Sequence, residues 1–138
     1  VMKNIILFIF INILLSGCDE HLICEECSID VEAPSLQMDS NGYYHMNFLS
    51  NYNQTFTTLD AYTNVVYGKL SWVANKQVYI QGVWTNVVNP AAYTDDEGVG
   101  HTVLAAWQTM IGDTVKVGVG YQDECGFWYT DSLQVVID

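Results

Sequence analysis

The strongest constraint on this chain is a two-residue alternation of apolar side chains that returns in several short segments. Val115, Val117, Val119 and Tyr121 would share one face of an extended strand, with Thr114, Lys116, Gly118 and Gly120 on the other. Leu133, Val135 and Ile137 repeat the pattern, as do Tyr44, Met46 and Phe48 after Asn41-Gly42. A helix would scatter these residues around its circumference, whereas a strand gathers them on one side. Further strands are expected over 55–60, 67–73, 78–83 and 101–107, all rich in Val, Thr and aromatic residues. Turn signals separate them at Ser50-Asn51, 74–76, Asn89-Pro90, 95–98, 111–113, 124–126 and Thr130-Asp131. About seven short strands at this spacing predict one all-β domain over 35–138, an antiparallel β-sandwich of immunoglobulin type. Its apolar faces would meet between two sheets.

Ahead of that domain, Lys3 precedes an apolar run from Ile5 to Leu15, broken only by Asn12. The run is about half the ~20 residues needed to cross a bilayer, which marks an export signal rather than a spanning helix. It ends in Leu15-Ser16-Gly17-Cys18, which resembles the lipobox of bacterial lipoproteins. That resemblance implies a signal peptide of residues 1–17, removed to leave Cys18 as a lipidated first residue carrying diacylglycerol and an amide-linked acyl chain such as palmitate. Two or more chains give a stable membrane anchor. The expected location is outside the cytoplasm, on the bacterial envelope, with the outer membrane or cell surface favoured.

Past residue 17 the bases are Lys69, Lys76 and Lys116 alone, set against all sixteen Asp and Glu. A surface this acidic excludes nucleic acid as a partner, since phosphate binding needs a basic stripe. Protein and neutral glycan partners remain open. Asp19, Glu20, Glu25, Glu26, Asp30 and Glu32 crowd residues 18–34, and mutual repulsion reads this segment as an extended, solvated tether. Acidic residues after the lipidated cysteine resemble a surface-display signal, while Asp19 directly after Cys18 resembles an inner-membrane retention signal. The two rules oppose each other and leave the leaflet open.

One stretch carries a second resemblance. Tyr93-Thr94-Asp95-Asp96-Glu97-Gly98-Val99, the strand at 101–107, and Gly112-Asp113-Thr114-Val115-Lys116-Val117 look like the closing half of bacterial Ig-like domains of the invasin and intimin type. In those domains a Thr-Asp-x-x-Gly turn launches one strand and a glycine opens the next. The likeness covers about residues 87–121 and implies a sandwich serving as a spacer or adhesive stalk. Cys125, with the aromatic hairpin around it, departs from that pattern.

Catalytic signals are sparse. The histidines are His21, His45 and His101, with no Gly-x-Ser-x-Gly elbow and no His-Glu-x-x-His helix. The expectation is a non-enzymatic structural or adhesive module. A carbohydrate-binding module is the alternative, resting on Tyr43, Tyr52, Tyr62, Trp84, Trp107, Trp128 and Tyr129, of which Tyr43, Trp84, Trp107 and Trp128 are the candidate ligand contacts. Against it, rings of this size usually fill sandwich cores. A coplanar row of exposed rings would favour sugar binding, and a patchwork of buried ones would favour a structural module.

Export would place Cys24, Cys27 and Cys125 where disulfides form. A long-range bridge from Cys125 to Cys24 or Cys27 is favoured over a local Cys24–Cys27 bridge, with a zinc site adding His101 as a further alternative. No cofactor is required by the sequence, but a calcium site can be constructed from it. If 101–107 and 114–121 form a hairpin about Ile111-Gly112, His101 faces Gly120, and Asp95, Asp96 and Glu97 converge on Asp123 and Glu124. A hard cation would relieve the resulting repulsion.

Overall fold

A computed structural model describes residues 28–49 and 51–138. In chain order the strands are β1 (Ile29–Glu32), β2 (Gln37–Met38), β3 (Tyr44–Met46), β4 (Gln54–Thr63), β5 (Lys69–Ala74), β6 (Gln77–Ile80), β7 (Val83–Asn86), β8 (Ala91–Tyr93), β9 (Val99–Trp107), β10 (Thr114–Gln122) and β11 (Trp128–Ile137). A small sheet has the order β1-β4-β9 and a larger one the order β2-β3-β11-β10-β5-β8, with β6 and β7 forming a separate ribbon. This is the all-β sandwich the alternation predicts. It is not wholly antiparallel, because β3 lies parallel to β11, with Tyr44 opposite Val135 and Met46 opposite Ile137.

The two sheets bury the alternating side chains against each other. Leu59, Ala61, Leu104 and Ala106 come from the small sheet; Leu70, Trp72, Val115, Val117, Val135 and Ile137 come from the larger one, all essentially inaccessible. Each large aliphatic contributes about 1.5–3 kcal/mol by leaving water. Gly100 permits this closeness, since a Cβ there would stand 2.3 Å from Leu70 Cδ1.

Four sequence expectations are corrected. First, β9 and β10 do not form a hairpin: β9 pairs with β4, placing Asp60 opposite His101, while β10 pairs with β11 and β5. The link through Ile111-Gly112 carries the chain from one sheet to the other, with the 3-10 turn Gln108–Met110 burying Met110 beneath it. Alternation fixes which face of a strand is apolar, and two such strands satisfy it equally well side by side or face to face. Second, the segment 78–83 is not one strand, because Gln81 and Gly82 take positive φ (50° and 83°) and reverse the chain between β6 and β7. Third, Thr130-Asp131 lies inside β11. Fourth, the domain begins before residue 35: β1 pairs with β4 while Val31 and Ala33 enter the core and Asp30 and Glu32 face solvent. Residues 29–34 therefore belong to the sandwich rather than to a tether. Cys18, Cys24, Cys27 and the signal segment lie outside the described residues.

Candidate functional site

The outer face of the larger sheet is built from the residues the core does not use. On β10 these are Lys116, Gly118 and Gly120; on β11, Trp128, Thr130 and Ser132; on β5, Ser71 and Val73. The register sets Gly120 between Ser71 and Thr130, and Gly118 between Val73 and Ser132. The two glycines thus make a low floor one strand wide, flanked by side chains on both neighbouring strands. The result is a trough of about 580 Å³ lined by Ser71, Val73, Lys116, Trp128, Thr130 and Ser132 above the glycines.

Trp128 leans over one end of that floor. Its Cε3 and Cζ3 are 3.2 and 3.4 Å from the point where a Cβ on Gly120 would stand, so the ring takes the space a side chain would use. The residue is still 56% exposed. Gly118 is different, because a Cβ there would meet Val73 Cγ2 at 3.4 Å and the Asp131 carbonyl oxygen at 3.9 Å, both ordinary contacts. Asp131 itself turns its carboxylate away, accepting the Val31 N–H at 2.9 Å and tying β1 to β11.

The other predicted ring contacts disperse. Tyr43 lies in the turn before β3, its N–H donating to Asp39 Oδ1. Trp84 stands on the β6-β7 ribbon directly opposite Tyr79, centroids 5.1 Å apart and planes tilted by 58°. A two-stranded ribbon is marginal alone, and this pair together with the Gln77–Asn86 side-chain hydrogen bond supports it. Trp107 packs half-buried against the core at the end of β9. Tyr129 stacks on Tyr121 at 5.6 Å. Tyr52 and Tyr62 are exposed elsewhere, so the candidate rings do not gather on one sheet face. The core reading of the rings is also corrected: among the described aromatics, Trp72 and Tyr44 are buried, and aliphatic residues fill the rest of the interior.

Three of the described aspartates form a shared local device. In Asp39–Tyr43, Asp95–Val99 and Asp123–Phe127 the aspartate N–H donates to the carbonyl of the fifth residue at 2.8–2.9 Å. Its Oδ1 accepts two further backbone N–H groups at 2.8–3.0 Å. The fourth residue is a glycine at φ 81–87°. These bonds hold the Asp95 carboxyl below its ordinary range, the Val99 N–H contributing most and the Glu97 N–H next. Asp123 Oδ2 accepts from the Tyr129 hydroxyl at 3.3 Å.

With no β9-β10 hairpin, the basis for bringing Asp95, Asp96 and Glu97 onto Asp123 and Glu124 is gone. The two aspartates at its centre are engaged within their own turns. Among the described residues no group of three or more His, Cys, Asp or Glu side chains is placed to hold a metal ion. His101 is engaged through Nδ1 with Asp60 at 2.6 Å on the small sheet, whereas half-buried Cys125 lies in the turn that joins β10 and β11.

His45 joins the first of these turns to the last strand. Its Nε2 meets Asp39 Oδ2 at 2.8 Å and its Nδ1 meets Asp138 Oδ2 at 2.7 Å. Hydrogen bonds to Asp39, then Asp138, raise the imidazole pKa above its ordinary value, while the bond from His45 is the main cause lowering that of Asp39.

The fold and this face define a small β-sandwich with a shallow polar-aromatic trough on its larger sheet. No protein-family profile matches the chain, and no curated protein matches it. Among solved structures, the N-terminal domain of PorA is similar with a TM-score of 0.42 and 11% sequence identity, over 80% of this chain and 98% of that one.

Proposed function

We propose that this chain is an exported lipoprotein, held to the envelope through Cys18, whose sandwich acts as a non-catalytic structural or adhesive surface module. The leader and the Leu15-Ser16-Gly17-Cys18 sequence support the anchor. The observation that carries the adhesive role is the open trough around Gly118, which has steric room for a side chain and carries none. Glycine in a strand interior weakens the strand and commonly marks the close approach of another molecule. The presenting surface is therefore the outer face of the larger sheet.

Two arms test this. Metabolic labelling with a fatty acid is expected to mark the wild-type chain and to leave Cys18→Ala unlabelled; label retained in Cys18→Ala contradicts the anchor. Cells displaying equal amounts of wild-type chain and of Trp128→Ala are then compared for adherence to host-cell and envelope surfaces. Loss of adherence in the variant is expected, and equal adherence contradicts the assignment of this face.

A further inference from the structure

Resting on that assignment of the outer face, we infer that the trough takes an uncharged saccharide chain, with Trp128 as its stacking platform. Three observations converge on this ligand class. The first is Trp128, whose indole leans over Gly120 while the residue stays 56% exposed. An aromatic face offers an apolar contact to the C–H face of a sugar ring without demanding charge. The second is the polar lining, in which the hydroxyls of Ser71, Thr130 and Ser132 stand on the strands either side of the floor. The strands carrying them are two spacings apart, about 9.5 Å, so a ring on the open floor at Gly118 lies between Val73 and Ser132, with Ser71 and Thr130 one pair further along. Hydroxyls donate and accept, matching the mixed donors and acceptors of a sugar.

The third observation is charge. The lining holds a single ammonium, Lys116, and the Asp131 carboxylate is turned onto the Val31 N–H. The chain carries a formal net charge of −12. Polyanionic ligands are repelled at long range, and a cationic one finds no free carboxylate in the trough. A peptide joining as an added strand is also disfavoured here, because β10 is already hydrogen-bonded to β11 and β5 and presents no edge.

The test uses the detergent-solubilised full chain on an array of uncharged, sialylated and sulfated glycans, with Trp128→Ala, Trp128→Phe and Gly118→Val alongside. Wild type is expected to bind uncharged chains and to ignore sulfated ones. Trp128→Ala and Gly118→Val should each weaken binding by about tenfold or more, with partial recovery in Trp128→Phe. The melting temperature of Gly118→Val should not fall, since a Cβ there meets ordinary contacts and a β-branched residue suits a strand, and this separates a filled site from a damaged fold. Binding unchanged in Gly118→Val, or no uncharged glycan bound at all, overturns the inference. If the array stays silent while both trough variants still lose cell adherence, the outer-face reading stands and only the saccharide is wrong. If adherence also persists in both, both readings fail.

Discussion

The turn at Asp95–Val99 and the trough floor at Gly118 and Gly120 both depend on glycine, and for opposite reasons. At Gly98 the backbone has φ +81°, and a Cβ would stand 2.3 Å from the Thr63 carbonyl oxygen, so the fold excludes any other residue. At Gly118 the backbone is extended within β10, and a Cβ would meet only ordinary contacts. The first glycine is required by geometry, while the second lowers strand stability with no geometric demand. Glycines of the first kind belong to the account of the fold, and one of the second kind carries the proposal of a ligand on the outer face. Gly120 sits between them, since the Trp128 ring covers it at 3.2 Å and compensates for the missing side chain.

That contrast can be broken by substitution. The largest effect is expected for Gly98→Val, which combines a forbidden backbone region with a backbone clash and should cost about 3–4 kcal/mol in urea unfolding. A loss under about 1 kcal/mol would mean the turn relaxes freely and is no stricter than the trough. Next, Asp123→Ala removes the acceptor of two backbone N–H groups and should cost about 1–2 kcal/mol. Asp123→Asn, which keeps an acceptor oxygen, should cost less. Equal losses would show that charge rather than hydrogen bonding holds these turns.

The Asp39 turn adds a pH dependence through its contact with His45. The folded-state pKa of His45 is raised, so its contribution is fully present below the unfolded value near 6.5 and is lost as pH rises through the folded value. The Asp39 pKa is lowered, so its contribution is present above 3.8 and is lost as pH falls through the folded value. Thermal melts should therefore show wild type losing stability relative to His45→Gln as pH rises from about 6.5. Parallel curves for the two proteins would contradict the clasp. The smallest expected effect is on Gly118→Ala, with a gain of about 0.5–1 kcal/mol. A loss of that size would place Gly118 with Gly98 as a structural requirement.

Much of the sandwich was legible because alternation is a local property. Val115, Val117 and Val119 announced an inner face, and Gly118 and Gly120 were already assigned to the opposite side. What stood beside that floor was not legible, since Ser71 and Ser132 become its neighbours only through the pairing of β5 and β11 with β10. The same gap produced the mistaken hairpin between β9 and β10, and with it the calcium cluster. In β1 the acidic Asp30 and Glu32 masked the inward Val31 and Ala33, so a strand read as a tether. At Gln81-Gly82 an apolar run on either side hid a turn whose only signal was one glycine. Ring size does not distinguish the two faces of a strand, so outward Trp128 and core-packed Trp107 stood together among the candidate ligand contacts. The Asp-x-x-Gly spacing at Asp39, Asp95 and Asp123 was present in the sequence and would have identified all three turns as one device.

The most direct test of the account measures ligand affinity and stability together on Gly118→Val. The account expects uncharged-saccharide binding to weaken by about tenfold or more while the melting temperature holds or rises. Affinity retained at the wild-type level, or a fall in melting temperature large enough to explain the lost binding, would contradict the claim that the floor at Gly118 is kept open for a ligand.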